Sequence, residues 1–343
     1  MKFFVTDTKH YITLFLYNQQ MNRLNLEINT QKNLLAFSAG VDSTALFFLM
    51  LDQNIAFDIA IVDYNQRVQS KEEVIYATQL AHKYNKKCFI SSYPEDLKFS
   101  EKDARDFRYS FFDEIMIRES YESLLTAHQL NDKLEWFLMQ FTKGAGLTEL
   151  IGMESIVEKN NYKILKPLLP YSKSDLQTYL DDLEIKYFVD HSNYDEKYKR
   201  NYFRHHFSDQ LLEQFSKGIS NSFQYLEEDN RSLFKGTKEK RIEELSLFKF
   251  NGDLNIALKL IDKDLKRRGI LLSKSTRDEI KEKKEVVVSH KIAIAILEDT
   301  IYIVPYFSFV MDKKFKEKCR VENIPKNIRS YIFKLQQEGI SIF

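Results

Sequence analysis

The sequence predicts an α/β protein: a Rossmann-like domain on a parallel sheet, a helical linker, then a small α+β domain. Three observations carry this. Through about residue 210, apolar runs of strand length alternate with longer runs of helical spacing, as in strands joined by crossover helices. One junction, Phe37-Ser38-Ala39-Gly40-Val41-Asp42-Ser43-Thr44, is a turn of small and hydroxyl residues between an apolar strand and an apolar helix. Near the end, Ile292–Leu297 and Thr300–Val304 flank Glu298-Asp299, the pattern of an antiparallel hairpin.

In order, residues 9–28 read as a helical or irregular lead-in. Residues 33–37 form the first strand, 43–52 the first helix and Phe57–Asp63 the second strand, with a polar loop over 64–70. Residues 71–85 place Val74, Ala77, Leu80, Ala81 and Tyr84 on one side of a helix. A third strand at 87–91, a helix at 101–119 and a fourth strand at 122–127 follow. Helix 129–142 has Leu130, Leu134, Phe137, Leu138 and Phe141 as its apolar stripe. A short strand at 162–165 precedes Lys166-Pro167, and a helix runs from 174 to 183 with Ser172 and Asp175 as cap residues. An amphipathic helix covers 211–235, and helix 254–268 closes on Lys266-Arg267-Arg268-Gly269. The expected divisions are 1–210 for the sheet domain, 211–240 for the linker and 241–343 for the rear domain.

At 343 residues and 43% hydrophobic content, two domains, or one and an appendage, can each bury a core. No apolar run approaches bilayer length, and the N-terminus lacks the apolar core of a secretion signal, so no membrane partner is expected. Cys88 and Cys319 are isolated, which excludes a cysteine metal knuckle or disulfide framework and suits a reducing cytoplasm. The net charge of +1 conceals an asymmetry: residues 1–196 hold 21 Lys/Arg against 29 Asp/Glu, and residues 197–343 hold 30 against 21. A basic rear points to a polyanionic partner, or to a solvated lysine-rich surface. The oligomeric state is open, a homodimer included.

A tight turn feeding a helix lets backbone N–H groups converge on an anion at the positive end of the helix dipole. Ser38, Ser43 and Thr44 supply hydroxyls, Gly40 permits an unusual backbone angle, and Asp42 can orient a magnesium ion. No Gly-Lys dipeptide occurs in the chain, so the turn is not a Walker A loop. Ligands bind parallel sheets beyond the carboxyl ends of the strands, so the turns after strands one, two and four should bring Ser38–Ser43, Asp63 and His128 together. His128, Asp132 and Glu135 are spaced i, i+4 and i+7 and share one face if the helix begins at 128. A histidine and two carboxylates there can bind a cation, take a proton from an amine, or both.

Five segments, in order over about residues 30–205, resemble the tRNA(Ile)-lysidine synthetase family of pyrophosphate-loop ATPases, of the adenine nucleotide alpha hydrolase type. They are Ser38–Ser43 against Ser-Gly-Gly-x-Asp-Ser, Arg105-Asp106-Phe107-Arg108-Tyr109, Ala127-His128 with Asp132 and Glu135, and Lys143-Gly144-Ala145-Gly146-Leu147. The fifth, Asp190-His191-Ser192-Asn193 with Arg200-Asn201-Tyr202-Phe203-Arg204, separates this family from other pyrophosphate-loop enzymes. The resemblance implies use of ATP and Mg2+ in the cytoplasm. The 2-carbonyl oxygen of the wobble cytidine in tRNA(Ile) with a CAU anticodon is adenylated, and the amine of free L-lysine then displaces AMP to give lysidine. It implies that Ser38, Ala39, Gly40, Val41, Asp42, Ser43 and Thr44 bind the pyrophosphate, with Asp42 and Asp132 as magnesium ligands. Asp42, His128, Asp132 and Glu135 would be catalytic: His128 and Asp132 handle metal or the lysine amine, and Glu135 recognises the lysine. Arg105 and Arg108 would contact phosphate or cytidine, or else pair with Glu101 or Asp103. Arg200, Asn201 and Arg204 would meet AMP or RNA phosphate, or else form an exposed salt-bridged helix. The basic rear domain would grip tRNA.

Departures from the family pattern are specific. Ala39 replaces a Gly, acceptable if that position needs no positive φ. Asp63-Tyr64-Asn65-Gln66-Arg67 replaces a His-x-Asn-His-Gly-x-Arg stretch, Asn131 a common Asp, Trp136 a common Thr and His191 a Pro. The rivals are another pyrophosphate-loop enzyme, modifying tRNA or amidating a small acid, and an inactive tRNA-binding relative. Scarce cysteine argues against the thiolating kind, and retention of Asp42, His128, Asp132 and Glu135 argues against the inactive one.

Overall fold

The computed structural model describes residues 24, 28, 32–66, 68–94, 100–159, 161–189 and 199–340. Most of the expected lead-in, Arg67 and the segment Asp190–Asn193 lie outside them. The chain divides into two compact units, Met1–Leu226 and Glu227–Phe343.

The first unit opens with β1 (Asn33–Ala36), α1 (Val41–Asp52), β2 (Phe57–Asp63), α2 (Val68–Lys83), β3 (Cys88–Ser92), α3 (Glu101–Arg118) and β4 (Ser123–Leu125). It continues through α4 (Leu130–Phe141), α5 (Leu147–Ile151), β5 (Ile156–Glu158), β6 (Lys163–Leu165) and α6 (Lys173–Asp182). Then come α7 (Lys199–Phe203), a π-helical turn (Arg204–Ser208) and α8 (Asp209–Leu233), whose last turns lie past the division at Leu226. The sheet order is β3-β2-β1-β4-β6-β5, and every pairing is parallel except β5 with β6.

Alternation of side chains along the strands explains both covered faces. Leu35, Ile59, Ile61 and Leu125 pack with Ala45, Leu46 and Leu49 of α1 on one side. Leu34, Ala60, Leu124 and Ile164 pack with Phe112, Ile115 and Met116 of α3 on the other. Each of the Leu, Ile, Phe and Met side chains contributes about 1.5–3 kcal/mol on full burial, which holds the strand ends in place. The apolar stripe of α4 is realised in part: Leu130 and Leu134 form a small core with Leu212 and Phe223 of α8, Phe137 and Leu138 pack against it, and Phe141 is exposed. The polar loop after β2 is shorter than expected, because α2 begins at Val68. The chain runs from β1 to β2 and β3 on one side, then crosses to β4 on the other. That reversal opens a crevice beyond the carboxyl ends of β1 and β4.

The second unit contains β7 (Lys238–Ile242), β8 (Leu245–Lys249), α9 (Leu254–Arg267), α10 (Lys274–Lys283), β9 (Glu285–Val288), β10 (Ile292–Leu297), β11 (Thr300–Pro305), α11 (Lys313–Val321) and α12 (Arg329–Gln337). Its sheet is antiparallel, in the order β7-β8-β11-β10-β9. The expected hairpin is its centre, with Leu297 opposite Thr300. The stretch 211–240 is helical only as far as Leu233, since β7 starts at Lys238. Buried among these elements, Asp264 accepts from Ser246 Oγ at 2.9 Å, Arg267 Nη2 at 2.9 Å and Arg268 Nε at 2.7 Å.

Candidate active site

The turn between β1 and α1 departs from expectation at its two central residues. Gly40 has φ −76° and ψ 171°, extended backbone that any residue adopts, and a Cβ there would meet Ser38 Oγ at an ordinary 3.6 Å. The left-handed angle belongs to Ala39, at φ 58°. This position does require positive φ, so alanine carries a cost of about 1–2 kcal/mol that glycine would avoid. Ala39 is fully buried, and its carbonyl accepts from Phe188 N at 2.9 Å, which helps hold the turn.

Within the turn, Ser38 N donates to Ser43 Oγ at 3.1 Å, and the two hydroxyls share a hydrogen bond at 3.1 Å. Thr44 is fully buried, and neither its Oγ1 nor the buried Oδ1 of Asp42 has a hydrogen-bond partner among the described residues. Burial, with the neighbouring charge of Asp132, pushes the Asp42 carboxyl up to about 7; Lys173 and Arg204 oppose the shift. An orphaned buried carboxylate is costly unless a cation reaches it. Its hard, unpartnered oxygen is the donor type that magnesium takes.

A cavity of about 200 Å³ lies at the crevice. Ser38, Asp42 and Ser43 line it from the first turn, Tyr64 from the turn after β2, Arg108 from α3 and His128 from the turn after β4. The expected convergence therefore occurs, with one exception. Asp63 is not among the lining residues; its Oδ1 accepts from Asn65 N at 2.8 Å and shapes the local turn. Tyr64 takes that place, and an aromatic residue in a polar loop carried no spacing signal to mark it.

The helix after β4 starts at Leu130, not at 128, so His128 lies outside it and the expected three-residue face does not form. The His128 Nδ1 sits 3.0 Å from Thr126 Oγ1. Burial pulls the imidazole down to about 4, overriding the pull of Asp132, so the ring is neutral at pH 7. Asp132 is the third residue of α4 and completes a capping box: its Oδ2 accepts from Gln129 N at 3.0 Å, while Oδ1 accepts from Arg200 Nη2. Glu135, one turn on, is fully buried and accepts from Arg200 Nε at 2.6 Å and Arg204 Nε at 2.7 Å. Arg200 and Arg204 thus do not form an exposed salt-bridged helix; they clamp α7 and the π-helical turn to α4. Glu135, sealed beneath two guanidinium groups, is not placed to recognise a lysine directly. Asn201 is buried between the two arginines in sequence. The guanidinium groups of Arg105 and Arg108 lie 5.4 Å and 5.7 Å from the Tyr109 ring, and neither pairs with Glu101 or Asp103.

A second cavity, about 600 Å³, adjoins the first at His128 and is also lined by Arg105, Asp132, Trp136, Lys166 and Arg200. Trp136 donates from Nε1 to Glu149 O at 2.9 Å and lies over Gly152, where a Cβ would fall 1.8 Å from the indole nitrogen. Lys166, which no motif marked, donates from Nζ to Glu154 O at 2.9 Å.

A parallel sheet whose strand order reverses beside a serine-lined anion turn defines a nucleotide-binding protein of the PP-loop class, and residues 15–211 match the PP-loop domain family. Over 303 residues the chain is 41% identical to a tRNA(Ile)-lysidine synthase of Campylobacter jejuni, covering 88% of this chain and 92% of that one. Similar matches are the synthase of Helicobacter pylori (40% over 305 residues; 88% and 89% covered) and that of Wolinella succinogenes (42% over 305 residues; 88% and 93%). The chain belongs to the tRNA(Ile)-lysidine synthase family.

Proposed function

We infer that the chain ligates L-lysine to the wobble cytidine of tRNA(Ile) with a CAU anticodon, using ATP, in the cytoplasm where those substrates meet. The observation that carries this reading is the pair of adjoining cavities: one lined by the anion-binding turn, the other by Asp132, with His128 common to both.

In the first step the cytidine O2 attacks the α-phosphorus, the bond to the β-phosphate oxygen breaks, and pyrophosphate leaves. The hydroxyls of Ser38 and Ser43 and the first amides of α1 would meet the charge on that leaving group. Asp42, with Asp132, would hold magnesium, which when bound neutralises phosphate charge. In the second step the side-chain amine of lysine attacks C2 of the cytosine and AMP departs. Asp132 attracts the ammonium into place. The amine must shed a proton before attack, and the neutral His128, which lines both cavities, can accept a hydrogen bond from it and hold it in place. Glu135 acts on this arrangement through Arg200 and Arg204, which it orients. Lysines and arginines of the second unit supply phosphate contacts, so affinity for tRNA should fall steeply with salt.

The test is incubation of the full chain with ATP, labelled L-lysine and a tRNA(Ile)-CAU transcript. Lysine should enter the RNA, and Asp132→Asn should lose most of that activity. Transfer of no lysine, or wild-type transfer by the variant, overturns the assignment.

A further inference from the structure

The larger cavity holds more positive charge than its own carboxylates answer. Arg200 is matched by Asp132 and Glu135. The remaining lining carboxylate, Asp106, pairs with Lys102 at 3.6 Å. Lys166 and Arg105 line the same space and form no ion pair with a described residue. An ammonium has three donors, and Lys166 spends one on Glu154 O, so two remain for an incoming acceptor. Met139, Met153, Val157 and Ile164 give the same cavity an apolar wall. Unpaired cations, an apolar wall and the Asp132 carboxylate in one cavity answer the carboxylate, the methylene chain and the side-chain amine of lysine.

We propose that Lys166, supported by Arg105, binds the α-carboxylate of the amino-acid substrate and so points its side-chain amine at Asp132 and His128. This rests on the lysine-ligating reading above and adds the missing end of the substrate. The apolar wall then receives the methylene chain, and lysine is selected by its two charged ends together. An RNA phosphate is the other anion such cations could take, and the experiment separates the two.

The full chain is compared with Lys166→Met, which keeps the length and removes the charge, and Lys166→Arg, which keeps the charge. Measured quantities are the KM for L-lysine, the KM for tRNA, and the inhibition constant of cadaverine, which carries the amine and chain without the carboxylate. Wild type should bind lysine more tightly than cadaverine. Lys166→Met should raise the lysine KM by roughly 10- to 100-fold, the loss expected for one charge-assisted hydrogen bond, with little change in cadaverine inhibition. Lys166→Arg should recover most of the loss, which a merely structural role would not give. A lysine–cadaverine gap that survives in Lys166→Met overturns the proposal, as does a rise confined to the tRNA KM. Separately, wild-type protein that releases no pyrophosphate from ATP in the presence of tRNA would overturn the ligase reading itself, and the inference with it.

Discussion

Two buried acidic hubs, one in each unit, use the same chemistry to different ends. Asp264 takes its closest ionic partners locally, Arg267 and Arg268 at the end of its own helix, with Ser246 of β8 and, at 3.6 Å, Arg241 of β7 added from further back in the chain. Glu135 takes its partners, Arg200 and Arg204, from 65 and 69 residues further along the chain. A local ladder of this kind secures a helix end. A clamp between distant elements fixes the geometry of whatever lies beside it, here Asp132 and the crevice. Pairing that is local reads as stability; pairing that spans the fold beside a cavity reads as positioning.

The sharpest way to break that contrast is to truncate both hubs. Asp264→Ala and Glu135→Ala should each cost about 1–3 kcal/mol in denaturant unfolding, because each leaves partly buried guanidinium groups without their carboxylate. Only Glu135→Ala should also lower the ligation rate per folded molecule; a slowed Asp264→Ala would erase the distinction. Asp42→Asn should reduce lysine incorporation on the order of 10²- to 10³-fold, the loss typical of a group that stabilises developing charge. It should leave the unfolding midpoint unchanged or higher, since it removes an uncompensated buried carboxylate. Ala39→Val puts a β-branched residue at positive φ and should cost about 1–3 kcal/mol, whereas Gly40→Ala should stay within about 0.5 kcal/mol. The reverse order in a denaturation series would contradict the backbone angles described above.

The smallest effect concerns pH. Burial, with Arg105 and Lys133, pulls Lys166 down to about 8, and Glu154 opposes the shift. His128 and Asp132 also face the cavity. Lys166 is charged below that value and loses its proton as pH rises through it, so the lysine KM should be level at lower pH and climb above about 8. Lys166→Arg should flatten the climb, because guanidinium does not titrate there.

The parallel sheet was legible because its strands are buried on both faces and therefore appear as unbroken apolar runs such as Leu34-Leu35 and Ile59-Ala60-Ile61. The anion turn was legible from residue size and its place between strand and helix. Other features left no such trace. Strand β7 is Lys-Glu-Lys-Arg-Ile, an exposed edge strand with almost nothing apolar to mark it. The left-handed angle fell on Ala39 although glycine stands beside it, the opposite of what composition suggests. The partners of Glu135 could not be found by spacing, because nothing in helical periodicity links residue 135 to 200. Lys166 precedes a proline and reads as connecting chain until β6 carries it to the cavity wall.

The contact between Trp136 and Gly152 constrains the order in which this chain can change. Gly152 combines a φ of 53° with an indole where its first carbon would go. Any side chain at 152 must therefore push the tryptophan out of the wall it forms. A lineage could shrink residue 136 first and enlarge 152 afterwards, but the opposite sequence of events passes through a displaced wall. The two positions should accordingly vary as a pair among close relatives, with bulk at one traded for bulk at the other.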